Sequence, residues 1–172
     1  TDGTGFSQSH TFTGLATDGD SPEENSLTVS GSKLYGMTPF GGSNTYGTIF
    51  SMNTDGTGFS LLHSFAGGAG DGIYPDGSLT LSGSKLYGMT NAGGSSTSNA
   101  GTIFSSNTDG TGFSQSHTFT GLATDGDSPE EQPLPVAVSN LYCLTRAGAH
   151  HTAHTVYRLK HAGPRRRLVP SF

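Results

Sequence analysis

Apolar residues in this chain come in short runs, broken every few residues by clusters of Gly, Asp, Asn and Ser. No 3.6-residue apolar spacing persists beyond one turn, so helix is a minor component at best. The runs are rich in β-branched and aromatic residues and read instead as strands. Four follow in order. Segment a is SLTVS (Ser26–Ser30) and segment b is KLYGMT (Lys33–Thr38), stopped by Gly41–Gly42. Segment c is TIFSMN (Thr48–Asn53), followed by the turn TDGTG. Segment d is FSLLHSF, with Phe59, Leu61, His63 and Phe65 expected on one face.

The set then repeats. LTVSGSKLYGMT (Leu27–Thr38) returns as LTLSGSKLYGMT (Leu79–Thr90), and GTIFSMN (Gly47–Asn53) as GTIFSSN (Gly101–Asn107). TDGTGFS begins at Thr1, Thr54 and Thr108, and the 24-residue stretch TDGTGFSQSHTFTGLATDGDSPEE occurs letter for letter at Thr1–Glu24 and Thr108–Glu131. Four-strand units recurring at about 50 residues are the mark of propeller blades. A blade packs on both faces, which accounts for the poor alternation of polar and apolar residues. Gly36 and Gly88, inside segment b, are expected where a neighbouring blade comes close. Tyr35, Tyr87 and Tyr142 should be equivalent, as should Phe50, Phe104 and Tyr157, and these aromatics should be buried.

The C-terminal stretch from Leu134 looks foreign, yet laid without gaps on Leu27–Phe65 it matches at 13 of 39 positions, among them Leu134, Val136, Leu141, Tyr142, Thr145, Gly148, Thr155 and Phe172. It is a worn copy of the unit. Its segment d has become GPRRRLVPSF, in which Pro164 and Pro170 each remove a ladder donor. The array therefore reads as a lone outer strand (1–12), a first blade (26–65), a second (79–119) and a degenerate third (134–172).

Composition changes this picture little. Apolar residues are 31% of the chain, and with its 27 glycines the share rises to about 47%, ordinary for a globular protein. Charge is more telling. Up to Glu131 there are 13 acids against Lys33 and Lys85, a balance of −11; beyond it come six basic residues and no acid. An acidic body argues against nucleic acid as a partner. The single cysteine, Cys143, allows no internal disulfide. No apolar run approaches the length of a membrane span. There is no visible signal peptide and no initial Met, so the chain reads as a mature product or a piece of something longer.

Candidate chemistry is sparse. His150, His151 and His154 (HHTAH) have the i, i+4 spacing of a helical metal pair, but they fall in a b–c loop with no Glu between them and read as exposed loop. His10, His63 and His117 recur at one place in segment d, which points to a structural role. The acidic loops DGDSPEE (Asp18–Glu24, Asp125–Glu131) offer carboxylates to Ca²⁺. The middle copy keeps only Asp71 and Asp76, so a solvated turn is the expectation. TDGTG lacks the following helix that would hold a phosphate. Cys143 stands where the other copies have glycine and reads as a buried small residue. Arg165–Arg167 reads as a solvated run. No catalytic, cofactor-binding or metal residue is assigned, and no cofactor is expected.

The pattern LYGMT-x-x-GG, then GTIF-x-x-N-x-DG-x-x-F-x-x-x-HSF, resembles the GloVer tandem-repeat family of bacterial surface-type proteins. It is also similar to the kelch blade, whose paired glycines end the second strand; Phe59 and Phe113 stand about where the kelch tryptophan would be. The resemblance implies an extracellular or cell-surface location. The resulting expectation is an all-β fold of tandem four-stranded antiparallel units, β-propeller-like, with three blades plus one extra N-terminal strand. Its function would be that of a non-enzymatic structural or binding module, self-associating head to tail through strand edges, with a glycan or protein ligand. The alternative is a propeller-type glycan hydrolase or lyase, or a fragment of a larger propeller enzyme.

Overall fold

The computed structural model describes residues 4–22, 26–94, 98–122, 125–129, 134–137, 140–147 and 155–160. His150, His151, His154, Pro164, Arg165–Arg167 and Pro170 lie outside the described residues, as does the side chain of Tyr157. Among the described residues there is no helix.

Among the described residues, fourteen strands follow in order: β1 (Gly19–Asp20), β2 (Thr28–Ser30), β3 (Lys33–Thr38), β4 (Phe40–Gly41), β5 (Thr48–Asn53), β6 (Ser60–Ser64), β7 (Gly72–Ser82), β8 (Lys85–Gly93), β9 (Thr102–Asn107), β10 (Ser114–Thr118), β11 (Asp127–Pro129), β12 (Val136–Ala137), β13 (Asn140–Ala147) and β14 (Thr155–Lys160). The first blade is the antiparallel meander β2-β3-β5-β6, and the second is β7-β8-β9-β10. In the third, β12 and β14 flank β13, and β11 joins the far end of β13.

Equivalent residues pair identically. Tyr35 faces Ser51, Tyr87 faces Ser105, and Tyr142 faces Arg158. Thr38 and Thr48 lie opposite each other with hydroxyls 2.8 Å apart, and Thr90 and Thr102 repeat the arrangement. Each pair is buried and hydrogen-bonded, as most buried hydroxyls are.

The blades pack face to face in series. The front of the first blade (Tyr35, Met37, Ile49, Phe65) meets the back of the second (Leu79, Leu86, Phe104). The front of the second (Tyr87, Met89, Ile103, Phe119) meets the back of the third (Leu134, Leu141, Cys143). A hydroxyl bond crosses each joint: Thr80 donates to the Leu134 carbonyl at 2.8 Å, and Thr28 donates to that of Leu79.

Several expectations are corrected. Segment d does not alternate strictly, because a bulge shifts the register at Leu62 and again at Ser116. The close neighbour of Gly36 is not another blade. A Cβ there would lie 2.5 Å from Cζ of Phe50, across the same sheet, and one at Gly88 would lie 2.4 Å from Cζ of Phe104. The acidic loops are not turns throughout, since β1, the start of β7 and β11 extend the pairing of segment b past Thr38, Thr90 and Thr145. The N-terminal segment Phe6–Phe12 has no strand pairing. It takes the place of a preceding segment d all the same: Phe12 meets Phe50 and Phe59 at 5.1 and 5.9 Å between ring centroids, much as Phe65 meets Phe104 and Phe113 at 5.3 and 5.8 Å.

Candidate functional site

Each recurring histidine has a fixed carboxylate partner eight residues on. The Nε2 atoms of His10 and His117 lie 3.2 Å from Asp18 and Asp125, and that of His63 lies 3.3 Å from Asp71. The same carboxylates cap the loop. Asp18 accepts from the backbone N–H groups of Thr13 and Gly19, Asp71 from Ala66 and Gly72, and Asp125 from Thr120 and Gly126. Each His–Asp pair is a latch that fixes segment d to the loop leading into the next blade. The histidine rings also bridge blades: His10 stacks on Phe59 at 3.8 Å and His63 on Phe113 at 3.7 Å.

Burial pushes the Asp18 carboxyl up, but the bonds from His10, from the Thr13 and Gly19 backbone and from the Thr13 hydroxyl outweigh it, so its pKa is lowered. In the TDGTG turns, Asp55 and Asp109 are lowered by bonds from the Thr57 and Thr111 side chains and backbone N–H groups. These are Asx turns.

The histidines therefore have a structural role, as the sequence suggests, while their aspartate partners were legible only as loop acids. A signal was present. His-x7-Asp survives in all three copies, even where DGDSPEE becomes DGIYPDG. Cys143 is buried in the joint between the second and third blades. Among the described residues, no group of three or more His, Cys, Asp or Glu side chains is placed to hold a metal ion. No helix of the described residues is long and apolar enough to cross a membrane.

Among the described residues, two cavities bear on these faces. One, of about 320 Å³, opens on the back of the first blade among His10, Phe12, Pro22, Leu27, Phe50 and Met52. The other, of about 380 Å³, lies between the first and second blades against Tyr46, Gly67, Gly68, Ile73, Gly93 and Asn99. Beside it Phe40, Tyr74 and Tyr46 make a row of rings, with centroids 5.3 Å apart for the first pair and 6.4 Å for the second.

The family model described as the Gloeobacter/Verrucomicrobia repeat matches residues 1–172, and the chain belongs to that family. No curated protein matches it.

Proposed function

Given membership in this repeat family, we propose that the protein is a non-catalytic structural module, one stretch of a stack of blades that continues head to tail into further copies. Leu27 carries the reading. Its equivalents Leu79 and Leu134 are 3% and 1% exposed, each covered by the blade before it, whereas Leu27 is 50% exposed. The opposite end is open in the same way. Val156, on the front of the third blade, is 68% exposed, where its equivalents Ile49 and Ile103 are 0% and 2%. The two ends are the two halves of a joint the chain already makes twice.

The outer joint differs from the inner ones in charge. Arg158 and Lys160 stand on the front of the third blade where the others have Ser51 and Asn53, or Ser105 and Asn107. The back of the first blade is bordered by the acidic loop through Asp20 and Pro22. Contact between unlike ends is heterologous, and closes into a ring or grows into a filament. The rings of the N-terminal segment already rest on the first blade, which leaves its backbone edge to pair beside β14 of another copy. The extracellular or cell-surface setting rests on resemblance to surface-type repeats and is checked by fractionating the native cells.

Native mass measured over a broad concentration range tests the assembly. The expected result is a particle of several chains that loosens as salt rises. A single 17.7 kDa species throughout overturns the reading. A pair of point changes, Leu27→Asp and Val156→Asp, should each abolish growth if the end faces are what meet.

A further inference from the structure

Near-identical repeats provide an internal control. A residue present in every copy serves the fold, whereas a group of residues confined to one copy serves something local. The most distinctive such group is Phe40, Tyr46 and Tyr74. The equivalent positions hold Ala92 and Ala147 for Phe40, Ala100 for Tyr46, and Ser21 and Ser128 for Tyr74. Three small residues of the general plan are thus three aromatic rings at one junction.

We propose that the junction of the first and second blades is a carbohydrate-binding site. Phe40, Tyr74 and Tyr46 form its ring platform, and the adjoining cavity takes the hydroxyl-bearing edge of a neutral pyranose.

The fold does not require these rings. Tyr74 has a φ of 56°, and Ser21 and Ser128 adopt the same left-handed conformation at 55° and 50°. The backbone N–H of Tyr74 donates to the Tyr46 carbonyl at 3.0 Å, and that of Ser128 donates to Ala100 at the same distance. The local backbone is therefore complete without an aromatic side chain. A bulky residue at positive φ is disfavoured, and such strain concentrates where function holds it. Tyr46 packs partly against the core of the joint, but Phe40 and Tyr74 are both exposed and complete no core. Neighbouring exposed rings mark a surface that meets something.

The cavity decides what. About 380 Å³ lies within the range of small-molecule sites. Its wall mixes the Tyr46 ring and Ile73 with the Asn99 amide, whose oxygen accepts the Gly93 N–H at 2.8 Å, and with glycine backbone. Among the described residues, no charged side chain lines it. The nearby Asp71 carboxylate is already engaged by His63 and by the N–H groups of Ala66 and Gly72. Such a wall offers no partner to an anion and no carboxylate to support a cation over the rings. A pyranose suits it: one face of C–H groups for an aromatic ring, and a rim of hydroxyls for amide and backbone groups.

Calorimetric titration with soluble cellohexaose, N-acetylchitohexaose, xylohexaose and mannohexaose tests the site. At least one is expected to bind, and Tyr74→Ser, Tyr46→Ala and Phe40→Ala should each weaken that binding at least tenfold. These changes restore residues that the other copies hold, so the fold should persist, which a circular dichroism melt checks. Leu27→Ser, on the end face, should leave saccharide binding unchanged. Absence of binding by all four saccharides at their solubility limits overturns the proposal. So does binding indifferent to the three substitutions, or a site that takes choline or a proline-rich peptide and no saccharide.

Discussion

The third blade and the first two differ chiefly on one side. On the back, which packs against its neighbour, the third blade keeps Leu134, Leu141 and Thr145, all fully buried, and adds the buried Cys143. On the front, Leu144 and Val156 have replaced Met and Ile, and Arg146, Arg158 and Lys160 have appeared around them, all exposed. Identity has survived where close packing constrains volume and has drifted where water does not. An interior notices a single methylene, and an open face does not.

The sharpest way to break this comparison is to remove a fully buried ring from a joint. Phe104 is fully enclosed between Phe65 and Phe113, so Phe104→Ala should cost about 3–5 kcal/mol in chemical denaturation. An unchanged melting temperature would refute the packing of blades in series. One substitution made at two equivalent sites comes next. Leu79→Ala should cost about 2–5 kcal/mol, whereas Leu27→Ala in a dilute, unassembled chain should stay within about 0.5 kcal/mol. Equal losses would show that the first blade's back is covered in solution.

Gly88→Ala should cost about 1–3 kcal/mol, because the new methyl group collides with Phe104, whose ring has no room to retreat. A smaller effect separates the latches. His63→Ala removes both the Asp71 contact and the stack on Phe113, at about 1–3 kcal/mol. His117→Ala removes a contact to Asp125, and its ring has only an edge contact with Phe119 among the described residues, so it should cost less. The smallest effect is set by pH. Hydrogen bonds from His10, Thr13 and Gly19 outweigh burial and hold the folded Asp18 carboxyl below its ordinary pKa. Its contribution is therefore present above that value and is lost as pH falls through the folded pKa. Asp18→Asn should flatten the acid limb of a pH–stability curve.

The repeat made the blades legible. In the first blade segments b and c are found at their expected bounds, because Lys33–Thr38 and Thr48–Asn53 carry β-branched and aromatic residues between glycine stops. The bulges at Leu62 and Ser116 were hidden, since a bulge is set by the partner strand and leaves no mark on alternation. The pairing of Gly19, Gly72 and Asp127 was hidden by composition: Asp, Gly, Ser and Pro read as a turn, and here they form a strand through one left-handed residue. The His–Asp latch was readable only by aligning copies rather than by recognising a motif. The aromatic row at Phe40, Tyr46 and Tyr74 was missed for the opposite reason. Attention to what the copies share passes over what one copy has alone.

The verbatim duplication has a kinetic consequence. While the chain folds, Phe6–Phe12 and Phe113–Phe119 are chemically indistinguishable applicants for the edge of β9. Only chain connectivity separates them. The native choice closes a loop of six residues between Asn107 and Ser114, and the impostor must close one of roughly ninety. A fifteenfold longer loop costs about 2.4 kcal/mol more, a preference of roughly fiftyfold. A minority of molecules, on the order of a few per cent by the same loop arithmetic, should therefore insert the wrong copy and back out before completing the array. Refolding should show a minor slow phase of that amplitude, and scrambling Phe6–Phe12 should erase it.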